Sequence, residues 1–122
     1  MNEQTEDAVS FQEYEIGRRE MAAGNYANAI EHFRISIRHY PHFKTLELLG
    51  ECLLAMGDHV ASIVPLAAAV GLGTREFRAL YLLSKALVQI GKHEDALKYL
   101  DRALEMAPDF KRARELRSQI TG

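Results

Sequence analysis

The groups able to do chemistry are few and do not converge. Cys52 is the single thiol and sits in an apolar stretch beside Leu53. A nucleophilic cysteine needs a base or cation to hold the thiolate. A lone free cysteine without one behaves as a small buried hydrophobe, and that is the reading adopted for Cys52. The five histidines are scattered. His39 and His42 straddle Pro41 and cannot share a regular helix face, and His32 and His39 lie two helical turns apart. No His or Cys pair has the spacing of a zinc site. Gly71-Leu72-Gly73 is too short for a phosphate loop and follows no strand. Glu47 and Glu51, four apart, share a helix face, and paired carboxylates can serve acid–base catalysis. Here they read as a solvated or ligand-facing surface. No nucleophile, base and orienting group form one constellation, so the sequence predicts no enzyme, no metal and no cofactor.

The chain that carries these residues has 122 of them, enough for one domain with its own core. It is 48% hydrophobic and 26% charged, an ordinary globular composition. Its net charge of −2 provides no field that would draw it to nucleic acid or anionic lipid. One cysteine allows no internal disulfide and is compatible with a reducing compartment. The opening MNEQTEDAVS lacks the basic and apolar regions of a secretory signal. No apolar run approaches the ~18 residues that span a bilayer. These features predict a cytoplasmic protein without nucleic-acid or membrane partners. Residues 1–20 carry six acids against two arginines, whereas Lys111, Arg112, Arg114 and Arg117 make the other end basic. Two solvated ends are the plain reading; weak, salt-sensitive head-to-tail association is the sharper one.

The elements that position these residues repeat. Gly24-Asn-Tyr to Pro41 and Gly91-Lys-His to Pro108 are both eighteen residues from glycine to proline, with matching apolar and small positions. Gly24, Gly57 and Gly91 are separated by 33 and 34 residues. Gly17, Gly50 and Ser84 precede them by seven, and Phe43, Phe77 and Phe110 recur at the same period. After each loop glycine, small and apolar residues fall at helical spacing: Ala29, Ile30, Phe33, Ser36 and Ile37; Ser62, Ile63, Leu66, Ala69 and Val70; Ala96, Leu97, Leu100, Ala103 and Leu104. A second helical stripe precedes the glycine, as in Leu46, Leu49, Leu53 and Ala55. Each unit is helix, turn, helix. Gly17 and Gly50 lie inside helices, where glycine costs ~1 kcal/mol against alanine. Close crossing by a partner helix explains them, with Phe33, Leu66 and Leu100 supplying the bulk.

The boundaries follow. Ser10-Phe-Gln-Glu13 reads as a capping box opening the first helix, which leaves residues 1–9 as a flexible acidic end. Asn25 and Asp58 can cap second helices. Pro41 and Pro108 stop theirs; Thr74 stands where the middle unit's proline would be. The units run over about 10–42, 43–76 and 77–110, and an amphipathic helix over 110–120 closes the stack with a polar outer face. Pro65, inside the middle unit's second helix, predicts a kink near residues 61–65, with Gly71 and Gly73 ending that helix early.

The pattern resembles the tetratricopeptide repeat. The matching residues are Ile16-Gly17, Gly24, Tyr26, Ala29, Phe33, Ser36 and Pro41; Leu49-Gly50, Gly57, Ser62, Leu66 and Ala69; Leu83-Ser84, Gly91, Ala96, Leu100, Ala103 and Pro108. They cover about residues 10–122, with Glu13 and Glu20 at normally apolar positions and His59 and His93 replacing the turn aromatic. The resemblance implies an all-α solenoid of stacked antiparallel helix pairs with a right-handed superhelical twist. It implies a non-enzymatic interaction module whose first helices line a concave groove for a peptide or helix of a partner protein. Helical geometry nominates Phe11, Tyr14, Arg18 and Met21 as groove residues of the first unit. Lys44, Glu47, Leu48, Glu51 and Leu54 follow in the second, and Arg78, Tyr81, Leu82, Lys85 and Val88 in the third. Arg112, Glu115 and Gln119 continue the surface. Apolar anchors among charges of both signs are the makeup of a binding surface. A subgroup of the family clamps chaperone-tail carboxylates with lysines and asparagines. Those positions map here to Tyr14, Arg18, Leu48, Arg78 and Leu82, and only Arg78 is of the right type, so such a clamp is not expected. Basic Arg18, Lys44, Arg78 and Lys85 leave room for an acidic or amphipathic ligand. The alternatives are a dedicated chaperone for a secretion or assembly subunit, and a self-associating scaffold with weak homo-oligomers.

Overall fold

The computed structural model describes residues 3–73 and 77–122. Thr74, at the middle unit's missing proline, lies outside the described residues. Among the described residues the chain forms seven helices: α1 (Glu3–Ala22), α2 (Tyr26–His39), α3 (Phe43–Ala55), α4 (His59–Leu72), α5 (Phe77–Gln89), α6 (His93–Met106) and α7 (Lys111–Thr121). The helices stack in chain order: α1 pairs with α2, α3 with α4 and α5 with α6, each pair rests on the next, and α7 closes the end against α6 and α5.

The turn inside each pair is the same device three times. Gly24, Gly57 and Gly91 have φ of +82°, +80° and +82°, where a side chain would be strained. The following amide bonds back five residues, Asn25 to the Glu20 carbonyl at 2.8 Å, Asp58 to Leu53 at 2.9 Å and Lys92 to Leu87 at 2.8 Å. This double-bonded C-terminal turn satisfies carbonyls that the helix end leaves open. The glycine period read from the sequence is therefore a backbone requirement.

The helix-interior glycines mark close crossings, as their position implies. A Cβ at Gly17 would come 2.6 Å from the Phe33 ring. One at Gly50 would meet Leu66 Cγ more closely still. Phe33, Leu66 and Leu100 are fully buried, the first two against Gly17 and Gly50.

Three sequence expectations are corrected. Helix α1 already includes residues 3–9 of the acidic segment expected to be flexible, and Ser10 lies seven residues inside it. Ser10 caps nothing. It is buried, its Oγ lies 3.0 Å from the Ser36 carbonyl, and Ser36 Oγ donates to the Ser10 carbonyl at 2.7 Å. Glu6 meets His39 at 2.5 Å and Glu13 meets His32 at 2.6 Å. Glu6, Ser10 and Glu13 thus oppose His39, Ser36 and His32 as a polar ladder between antiparallel helices, which a short S-x-x-E match cannot reveal. Asn25 makes no side-chain cap; its amide nitrogen donates to Glu20 at 2.9 Å. Asp58 does accept from the Ala61 amide, at 3.4 Å. Finally, α4 continues past Pro65 and is 14 residues long, the same as α2 and α6. Gly71 lies inside it rather than ending it early. The proline ring is buried, next in sequence to the fully buried Leu66.

Candidate functional site

The first helices α1, α3 and α5 present one face together, continued by α7. The middle of this face is a four-residue charge network. Glu47 has a fully buried side chain, held by Lys44 at 2.8 Å and Arg78 at 3.2 Å. Arg78 also donates to Glu51 at 2.6 Å. A carboxylate withdrawn from water is stable only when paired and hydrogen-bonded, and two cations supply this for one of its oxygens. The other, Glu47 Oε1, is buried without a hydrogen-bond partner among the described residues. The hydrogen bond to Glu51 and the two carboxylate charges raise Arg78 above the usual arginine value, against the opposing effect of partial burial.

Aromatic residues flank this network. At one end Tyr81 packs edge-on against Phe110 at 5.0 Å, and Phe77 meets the same ring at 5.3 Å. Burial pushes the Tyr81 hydroxyl up, with Arg112, Glu115 and Arg78 acting on it from nearby. At the other end a cleft of about 580 Å³ opens between α1, the α2–α3 turn and the start of α3. Phe11, Tyr14, Tyr40, His42 and Phe43 line it, with Asp7, Ser10, Lys44 and Thr45. Phe11 is 63% exposed, a large side chain with little cover. The Arg18 guanidinium lies 5.7 Å from the Tyr14 ring centre, a cation–π contact.

The structure therefore divides the sequence-nominated groove residues. Lys44, Glu47, Glu51 and Arg78 come together as the network, and Phe11, Tyr14 and Lys44 share the cleft. Lys85 is exposed, with no ion pair among the described residues. Two expectations are corrected. Leu48 and Leu82 are core, at 9% and 5% exposure, because a helix wedged between two others buries more than one stripe. Lys44 and Arg78 are not free cations, since Glu47 and Glu51 occupy them. Sequence reasoning missed Asp7, Tyr40, His42 and Phe43 of the cleft. The Pro41-x-Phe43 step marked the turn, and Phe11 and Tyr14 of the wall opposite it lie in the first unit, but Asp7 comes from a turn of α1 that the repeat register does not contain.

The remaining reactive groups are structural in character. Cys52 is fully buried, and burial, then the Glu51 charge, push its thiol up to about 11. His32 and His39 are held in the α1–α2 ladder. No group of three His, Cys, Asp or Glu among the described residues could hold a metal. No helix among them is long and apolar enough to cross a membrane.

A tetratricopeptide repeat family model matches residues 14–79, more than half of the chain. The chain belongs to the tetratricopeptide repeat family. A second model, the Fis1 C-terminal tetratricopeptide repeat, matches residues 78–121. Comparison with curated proteins gives no match. Among solved structures, this repeat chain superposes on the first tetratricopeptide domain of Spaghetti (RPAP3) bound to an HSP90 peptide. The TM-score is 0.90 at 19% identity, over 94% of this chain and 92% of that one. The second such domain of human RPAP3, in complex with an HSP70 peptide, gives 0.89 at 18% identity over 99% of both chains. The Yersinia enterocolitica type III secretion chaperone SycD, in complex with a peptide of the translocator YopD, gives 0.76 at 22% identity, over 90% of this chain and 85% of that one. At these identities the likeness establishes a common fold, an all-α stack of helical repeats.

Proposed function

We propose that this chain is a non-enzymatic interaction module that holds a peptide or helix of a partner protein along the concave face of α1, α3 and α5. The observation that carries the reading is the exposed Phe11 above an aromatic-lined cleft of about 580 Å³, beside a network of fixed charges. Apolar anchors receive side chains, and preorganised charges set register and orientation. The solved relatives bound to peptides of HSP90, HSP70 and YopD support the class of function. Phe11, Tyr14 and Tyr81 serve as apolar contacts, and Arg18 and Lys85 as the cations left for ligand. Lys44, Glu47, Glu51 and Arg78 form the floor. Leu48 and Leu82 support that floor from beneath.

The proposed ligand is not a chaperone-tail carboxylate. Of the positions mapped to such a clamp, Leu48 and Leu82 are buried and Arg78 is engaged by two glutamates. A cytoplasmic location belongs to the same proposal. The likeness to SycD favours a second reading, a dedicated chaperone for a secretion subunit. Its mark is a client that becomes insoluble or degraded when the chain is removed.

The test is affinity capture by the native chain beside a Phe11→Ala, Lys85→Glu variant, both positions being exposed and the fold checked by circular dichroism. A partner held by the native chain and lost by the variant is the expected result. A partner that binds both equally refutes the groove.

A further inference from the structure

The three second helices α2, α4 and α6 form the outer face, and the middle one differs in kind. Helix α4 contains no Asp, Glu, Lys or Arg. Its outward stripe is Val60, Val64, Ala67 and Gly71, all exposed, with Val60 at 70% and Val64 at 75%. The repeat register supplies an internal control. The same four positions are Ala27, Glu31, Arg34 and Arg38 on α2, and Glu94, Lys98, Asp101 and Glu105 on α6. An ordinary solvated outer face is charged, as both neighbours are; an apolar one rimmed by charge marks an interface.

Gly71 adds an independent sign. Unlike Gly17 and Gly50, it has nothing within 4 Å of the place a Cβ would occupy. Next to last in α4, it has no packing reason within this chain. It has one if another backbone approaches α4 there, at the end of a row of small residues.

The charges on either side indicate what approaches. Position for position, Glu31 corresponds to Lys98, Arg34 to Asp101 and Arg38 to Glu105, three pairs of opposite sign. If two copies meet face to face about a two-fold axis running along α4, α2 of each lies opposite α6 of the other. Equal levels of the register then face one another. Each such contact occurs twice, as an isologous interface requires. Asp101 already receives Arg117 at 2.8 Å through Oδ1, which leaves its second oxygen for Arg34 of the other copy. We propose that the outer face of α4 is the surface through which two copies of this chain associate, α4 on α4, with α2 opposite α6. The concave face points the other way, so the dimer would present two grooves, and the inference does not depend on what they bind.

The experiment is sedimentation equilibrium of the full chain across micromolar to millimolar concentration. The native chain is expected to move from 13.8 kDa toward twice that mass. Val64→Glu, at an exposed site, should stay at the monomer mass with an unchanged circular dichroism spectrum. Gly71→Leu should also weaken association while keeping the monomer folded. Arg38→Glu places like charges together twice and should weaken the dimer by about tenfold. Adding Glu105→Arg should restore it. A native chain that remains monomeric at millimolar concentration overturns the proposal, as does a dimer that survives Val64→Glu. A dimer indifferent to both charge variants overturns the parallel arrangement.

Discussion

Replacing Gly50 with alanine should destabilise the protein, although alanine is the better helix former. The gain in helix propensity is ~1 kcal/mol. Against it stands the crossing of α3 and α4. The new methyl would fall well inside van der Waals contact of two Leu66 atoms, and Leu66 is completely buried. Overpacking of this kind costs about 1–3 kcal/mol, and contact at two atoms of one side chain places this site near the top. The net loss should be about 2 kcal/mol, a fall of about 1 M in the urea midpoint at a typical slope for a small domain. Leu66→Ala alone should cost about 2–5 kcal/mol through the cavity it opens. In that background the clash is gone, so Gly50→Ala should change sign and stabilise by ~1 kcal/mol. The coupling between the sites is then about 3 kcal/mol, at the upper end for residues in contact. Urea unfolding followed by helical circular dichroism on the four proteins measures every term. Gly50→Ala that stabilises the native background, or a coupling below ~1 kcal/mol, would refute close packing as the reason for this glycine.

Arg78→Ala should cost about 2 kcal/mol in thermal or urea unfolding, because Glu47 is left buried with Lys44 as its one cation; Lys85→Ala, on an exposed unpaired side chain, should stay within about 0.5 kcal/mol. Ser36→Val should cost about 1 kcal/mol by removing the hydroxyl that donates to the buried Ser10 carbonyl at the α1–α2 crossing, while Ser10 Oγ keeps the Ser36 backbone carbonyl; unchanged unfolding would mean that this bond supports nothing. The Cys52 thiol, at about 11 in the folded chain against 9.0 for an ordinary thiol, binds its proton more tightly when folded. Its stabilising contribution is therefore complete below pH 9 and lost between about 9 and 11, where the native protein should weaken more than Cys52→Ala. The same thiol should react with a disulfide reagent at pH 8 only as fast as the fold opens, and prompt labelling would contradict its burial. Deleting residues 1–9 removes the Glu6–His39 pair and the Asp7 wall of the cleft, and should lower the unfolding midpoint; an unchanged midpoint would mean that those turns of α1 support nothing.

The sequence by itself determined the repeat. A glycine that must adopt positive φ, a glycine or serine under a bulky side chain and a proline or aromatic at the next turn are local demands, and they recur at a fixed period. Stacked helix pairs follow, because no pair can bury its face alone. Helical spacing also assigns Tyr14, Lys44, Glu47, Arg78 and Tyr81 to one side of the stack. Burial and charge pairing were decided by tertiary structure. Glu47 reads as an open carboxylate until α5 brings Arg78 beside it, thirty-one residues along the chain. Leu48 and Leu82 read as groove residues until neighbouring helices cover them. Ser10 reads as a cap until α2 supplies Ser36, and Asp7 joins the cleft from a turn of α1 outside the repeat register. The period of a repeat is written in local backbone and steric needs. The pairing of its side chains depends on residues distant in sequence that meet only when the helices stack.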